Sequence, residues 1–339
     1  MGVIENRIDI TELERSGGGG GGGTAASVSY DNTSSGLTAT TVQGAIDEVV
    51  GDIGDLNDEK AGKDQISNRN LLDNGWFTVN QRGVSSSNGG YTVDRWTGRN
   101  TTEISISDNI VTLVNNRSDG SSWFGQHFEL TEFNSLIGKT LTLSFMLSNG
   151  EMKSWTFIFQ SGRTQSDDFV LDNASVYLST EFGQDKFSVL IWLRYPNDTI
   201  SIKALKLEIG SISTLALDTA PNYAEELLKC QRYFQRIYTN NSYGFLSSLG
   251  FVITTSQARF PVLLSAPLRT APTITSGGSL RIAKTSTITS TITNISVTTF
   301  SGNMVWVALD TSDTLTVGDE CMISANNDAT AHIDLSADL

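Results

Sequence analysis

Cysteine, histidine and proline are scarce in this chain, basic charge is short, and no stretch stays apolar for long. The two cysteines, Cys230 and Cys321, lie far apart with no export signal ahead of them. That argues against a disulfide framework and leaves two buried free thiols as the expectation. The two histidines, His127 and His332, each lack a second His or Cys at ligand spacing, which disfavours a zinc site or a Cys/His nucleophile pair. Neither the opening Met-Gly-Val-Ile-Glu-Asn-Arg nor any later segment holds a signal-peptide core or a span of about 20 apolar residues. The expected product is soluble, made in a cytoplasm, with no membrane insertion. Lys and Arg number 23 against 37 Asp and Glu, a formal net charge of -14. Such a chain repels phosphate backbones, so no nucleic acid partner is expected. There is no P-loop and no Gly-Xaa-Ser-Xaa-Gly, and the glycine run at Gly17 to Gly23 lacks the Lys-Ser/Thr ending that phosphate cradling needs.

What is present is an abundance of Thr, Ser, Val and Ile in short runs between Gly, Asn and Asp, the pattern of strands and turns. The expected class is all-β, and 339 residues allow more than one core. Residues 1–16 carry Val3, Ile4, Ile8, Ile10 and Leu13, an apolar peptide suited to docking on a larger assembly. Residues 17–29 follow as a Gly-rich leash that cannot form a core. In 30–61 the apolar positions Val42, Ile46, Val49, Ile53 and Leu56 step by four and three, a heptad seam. Mostly β-branched residues at both seam positions shift preference toward trimers. The run is too short to stand alone, so the helix either bundles with two symmetry mates or packs on a neighbouring domain. Residues 62–218 read as a jelly-roll sandwich, with runs at Glu103 to Ile106, Ile110 to Val114, Thr140 to Met146, Trp155 to Phe159, Ser175 to Leu178, Phe187 to Leu193 and Ser201 to Ile209. In 219–239 a linker helix is expected over Tyr223 to Tyr238, with Leu227, Leu228, Tyr233, Phe234 and Ile237 as its apolar face. Residues 240–339 alternate again and read as a smaller distal β domain.

Four stretches resemble tailed-phage tail-fibre and receptor-binding proteins. Leu37-Thr38-Ala39-Thr40-Thr41-Val42-Gln43-Gly44-Ala45-Ile46-Asp47-Glu48 resembles a fibre-shaft loop that leads into a trimer-forming helix. Asn70-Leu71-Leu72-Asp73-Asn74-Gly75-Trp76-Phe77, with Tyr91-Thr92-Val93-Asp94-Arg95-Trp96, is similar to the opening of carbohydrate-binding jelly rolls. Leu205-Lys206-Leu207-Glu208-Ile209-Gly210 and the segment from Tyr223 to Gln235 resemble the exit of that jelly roll and its linker helix. Phe260-Pro261-Val262, with Leu268-Arg269-Thr270-Ala271-Pro272, resembles the distal β domain that follows. The resemblance implies a virion fibre subunit, assembled in the host cytoplasm as a homotrimer. Residues 1–16 would dock on a tail or a head or collar protein, and the β domains would bind a host-surface glycan. Residues 276–339 resemble nothing in the family. A head or collar fibre or decoration protein without a dedicated receptor fits the same parts, and a glycan depolymerase is a further alternative.

A glycan site needs flat aromatic faces and a few polar side chains. Trp155 and Trp192 sit in strand runs and are expected in the core, while Trp76 and Trp96 would close the sandwich end. Trp123 follows a polar turn, Asn115 to Ser122; it is the expected platform, with Gln126 and Arg163 as polar partners. Asp167-Asp168 and Asp47-Glu48 are adjacent, and neighbours on a strand point to opposite faces, so no catalytic carboxylate pair is expected and the chain is read as non-enzymatic. No cofactor is expected. A structural calcium ion could use Asp73, Asn74 and Asp94, or Asp313, Asp319 and Glu320, because carboxylate and amide oxygens suit a hard cation.

Overall fold

The structure, a computed structural model, describes residues 23–59, 68–160, 164–171, 174–179, 186–284, 288–289 and 292–339. The anchor side chains Val3, Ile4, Ile8, Ile10 and Leu13, and Arg163, lie outside these residues. The chain divides into two compact units, Met1–Lys63 and Asp64–Leu339.

In the first unit a loop leads into helix α1 (Val42–Glu59). The Thr41 hydroxyl accepts from the Gly44 N–H at 3.2 Å, satisfying one of the amides that a helix start leaves open. The Glu48 carboxylate reaches back to the N–H groups of Thr38 and Ala39, each at 2.9 Å, and this folds the loop onto the helix. Those bonds hold the Glu48 carboxyl below its usual value. Among the described side chains of this helix Ala45 alone is buried, whereas Ile46, Val49, Val50 and Ile53 are 52, 40, 63 and 52% exposed. Three of the expected seam residues are therefore uncovered within the described part of this unit. The Leu56 side chain lies outside the described residues.

The second unit is all-β apart from short helices. Its first ten strands are β1 (Ser86–Tyr91), β2 (Trp96–Ser107), β3 (Ile110–Asn115), β4 (Ser122–Glu129), β5 (Thr140–Leu147), β6 (Met152–Ile158), β7 (Thr164–Leu171), β8 (Ala174–Ser179), β9 (Lys186–Leu193) and β10 (Thr199–Ile209), with one helical turn, α2 (Leu130–Phe133), after β4. They form one ladder in the order β6-β5-β10-β3-β2-β4-β9-β8-β7, with β1 beside β2. The long β2 is the corner of this sandwich-like fold: Trp96 to Gly98 pair with β4, and Thr102 to Ser107 pair with β3. Phe145 and Leu205 from one half of the ladder share a core with Phe124, Val189 and Ile191 from the other. Trp96 closes the end, stacked on Phe124 at 5.4 Å and edge-on to Phe77 at 5.5 Å. Trp155 is half-buried against the same core.

Helix α3 spans only Tyr223–Gln231, after which the chain turns into strand β11 (Phe234–Tyr238). This corrects the expected helix to Tyr238, because Phe234 to Tyr238 pair with β20 (His332–Ser336), nearly 100 residues on. The apolar face also differs: α3 buries Glu226 and Cys230 and leaves Leu228 exposed. The other distal strands are β12 (Gly250–Thr254), β13 (Gln257–Leu263), β14 (Thr273–Gly277), β15 (Leu280–Lys284), β16 (Ile288–Thr289), β17 (Ile292–Phe300), β18 (Met304–Thr311) and β19 (Glu320–Ala325). Seven run in the order β16-β15-β19-β12-β13-β18-β17, and β11-β20-β14 make a separate three-stranded sheet. Phe260, Val307, Ile323 and Leu335 belong to this second core.

The two cores meet through arginines. Arg82 pairs with Asp94 and Asp338 and lies 3.7 Å from the centre of the Phe234 ring. The Tyr91 hydroxyl donates to the Leu339 carbonyl at 2.9 Å. Arg95 is buried between Asp73, 3.0 Å from its Nε, and the Tyr233 ring, 3.3 Å from its guanidinium carbon.

Candidate functional site

Strand alternation decides what Trp123 can work with. On β4, Phe124, Gln126 and Phe128 share one face while Trp123, Gly125 and His127 share the other. Phe124 and Phe128 are in the core, so Trp123 stands on the non-core face. Gln126 is fully buried on the opposite side; its Nε2 donates to the Asp73 carbonyl at 2.7 Å and its Oε1 accepts from the Asp73 N–H at 2.9 Å. It staples the opening segment to the sandwich. That corrects its expected role as a glycan partner of Trp123.

Register brings other residues to Trp123. Directly opposite it on β9 is Trp192, and opposite Trp192 on β8 is Ser175. Both tryptophans are partly exposed, so Trp192 belongs to the outer face and not to the expected core. Four residues along, His127 faces Ser188, with Nδ1 and Oγ 2.6 Å apart. The His127 ring is edge-on to Trp123 at 5.9 Å. Burial, then the positive charges of Lys186 and Arg95, push the imidazole down to about 4, so it is neutral near pH 7 and acts as a hydrogen-bonding group. Arg194 bonds the Ser175 hydroxyl through Nε. The face thus offers two indole rings side by side with the partly exposed Arg194 guanidinium at their edge, while Ser175, Ser188 and His127 are buried beneath it.

No family model matches the chain, and no curated protein matches it.

The calcium expectation is corrected at Asp73, Asn74 and Asp94. Asp73 is paired with Arg95. Asn74, at φ 51°, donates to the carbonyls of Val79 and Asp94 and accepts from the Val79 N–H. Asp94 accepts from the Gln81 N–H at 2.5 Å and Gln81 Nε2 at 2.9 Å. These side chains are engaged in organising the opening loop instead. In the second candidate set Asp319 is paired with Lys284 at 3.2 Å. Among the described residues no cluster of three or more His, Cys, Asp or Glu could hold a metal ion. Both cysteines are buried free thiols, and burial pushes Cys321 up to about 11 and Cys230 well above its usual value.

Several clefts border α3, and two of them are the larger. One, of about 370 Å³, is lined in part by Arg69, Asp73, Glu132, Lys229, Arg232 and Tyr233; its carboxylates are tied up, Asp73 with Arg95 and Glu132 with Arg232 at 3.6 Å. The other, of about 590 Å³, lies between α3 and the start of the distal module. Nothing in the sequence marked Trp192, Ser175 or Ser188 as neighbours of Trp123. The run Ser188-Val189-Leu190-Ile191-Trp192 carries no alternation that would separate an inner from an outer face.

Proposed function

We propose that this chain is a non-enzymatic fibre subunit of a tailed-phage virion that holds a host-surface glycan on its Trp123–Trp192 face. The observation that carries the reading is the pair of partly exposed indoles on facing strands. Flat aromatic faces stack on the C–H side of a pyranose, and the bordering Arg194 guanidinium suits its hydroxyl groups. Such contacts are weak singly. The uncovered apolar seam of Ile46, Val49 and Ile53 supports self-association through α1 into a trimer, which presents the face three times and raises avidity by orders of magnitude. Residues 1–16 serve as the virion anchor in this reading.

The test is binding of the labelled full chain to intact host cells, with and without periodate oxidation of their glycans, for wild type, Trp123→Ala and Trp192→Ala. Binding abolished by periodate and reduced at least 10-fold by either substitution is the expected result. Binding that survives periodate and both substitutions overturns the glycan reading. No binding to any productive host transfers the assignment to a head or collar fibre. Light scattering of an Ile46→Asp, Ile53→Asp variant should show the trimer lost, and a monomeric wild type refutes the seam.

A further inference from the structure

The larger cleft beside α3 is built of unusual material for a gap between two modules. Tyr223 opens α3 and Tyr238 ends β11; both line the cleft and are 54 and 62% exposed. Two rigid elements therefore hold two tyrosine rings at its rim. Between them the lining is mostly uncharged and polar, including Asn80, Gln231 and Asn240. Among the described residues, the side-chain amides of Gln231 and Asn240 make no hydrogen bond within the chain. The Asn80 amide nitrogen donates to the Val84 carbonyl at 2.8 Å, but its Oδ1 is buried with no partner. That oxygen is closed off from the cleft and takes no part in contacting a ligand there.

The charge at the cleft narrows the ligand. Arg236 is the arginine in the lining, and Asp334 neutralises it through two bonds of 2.7 Å, Nε to Oδ1 and Nη2 to Oδ2. His332 donates Nδ1–H to the Thr330 carbonyl at 2.7 Å. No uncompensated cation remains there to attract a carboxylate or sulfate. A ligand with many hydroxyls and no net charge meets what is present: ring faces for C–H stacking, and amides that both donate and accept. About 590 Å³ lies within the usual range for small-ligand sites, about 300–1,000 Å³.

We infer that this cleft is a second carbohydrate subsite, selective for neutral oligosaccharides, with Tyr223 and Tyr238 stacking on sugar rings and Gln231 and Asn240 taking hydroxyl hydrogen bonds. It extends the glycan reading to a second place on the chain, and its chemistry does not depend on Trp123. One chain then carries two weak sites on a single compact unit, which raises apparent affinity for a polymer that reaches both.

The experiment is saturation-transfer NMR on the full chain with maltotetraose, cellotetraose, chitotetraose and isomaltotetraose, plus sialyllactose and a proline decapeptide as contrasts. Wild type, a Trp123→Ala, Trp192→Ala variant and a Tyr223→Ala, Tyr238→Ala variant are compared, with circular dichroism to confirm folding. Expected is transfer to at least one neutral tetrasaccharide that persists in the tryptophan variant and falls at least 5-fold in the tyrosine variant. Gln231→Ala with Asn240→Ala should weaken it several-fold. Transfer to none of the neutral sugars, or transfer unaffected by the tyrosine changes, overturns the subsite. A preference for sialyllactose, or for the proline peptide, which also docks in aromatic-lined grooves, overturns it too. Loss in the tryptophan variant alone leaves the first face standing and removes only this one.

Discussion

Burial pushes the Asp94 carboxyl up to about 6, against partial relief from Arg82, and the His127 imidazole down to about 4. Each moves toward its neutral form, as desolvation requires. The consequences for stability are opposite in sign. A carboxyl whose folded pKa is raised contributes stability below its unfolded value near 4 that is lost as pH rises through about 6. An imidazole whose folded pKa is depressed contributes stability above its unfolded value near 6.5 that is lost as pH falls through about 4. Each is worth up to about 3 kcal/mol at roughly 1.4 kcal/mol per unit, so in the wild type the two largely cancel between pH 4 and 6.5. Urea denaturation over that window should separate them. Asp94→Asn should gain stability relative to wild type as pH rises, and His127→Gln should lose it. Profiles that stay parallel to wild type would show that neither group titrates as its burial implies. Neither shift was legible in the sequence, where Asp94 was a candidate calcium ligand and His127 only a lone histidine. Their burial comes from segments far away in the chain.

The strand pair β4 and β9 is where the candidate face is assembled, and Gly125 sets how closely the two strands approach. A Cβ at Gly125 would stand 2.3 Å from the Val189 carbonyl oxygen and 3.1 Å from the Leu190 Cα. Backbone cannot swing aside as a side chain can, so Gly125→Ala should cost at least about 2 kcal/mol, read by urea denaturation. It should also weaken glycan binding, because the Trp123–Trp192 row lies two residues along the same ladder. An unchanged midpoint would mean the strands part easily. Most strand runs were legible because their apolar residues alternate, as at Thr140 to Phe145, where Leu141, Leu143 and Phe145 are the core residues. The helix at Tyr223 was legible at its start, where Asn222 caps it by accepting from the Ala224 N–H at 2.9 Å. Its end was not. Tyr233, Phe234 and Ile237 fit a helical stripe equally well, and only β20 turns them into a strand.

At the scale of the molecule, Arg82 joins the two cores, touching Asp94 on one side and Asp338 and the Phe234 ring on the other. Arg82→Ala leaves Asp94 buried without its cation and removes the cation–π contact. Calorimetry should show one unfolding transition for residues 64–339 in wild type and two in the variant; a single transition at unchanged temperature would mean the contact contributes no coupling. Pattern and composition by themselves determined the all-β class, the four-and-three apolar spacing of α1, and the buried free thiols, because these follow from local periodicity and from which residue types leave water. Tertiary structure alone decided that Gln126 turns inward to hold Asp73, that Trp192 stands beside Trp123, and that Tyr223 and Tyr238 share a cleft. Those outcomes depend on strand register and on pairings between residues up to about 100 positions apart, which no local pattern encodes.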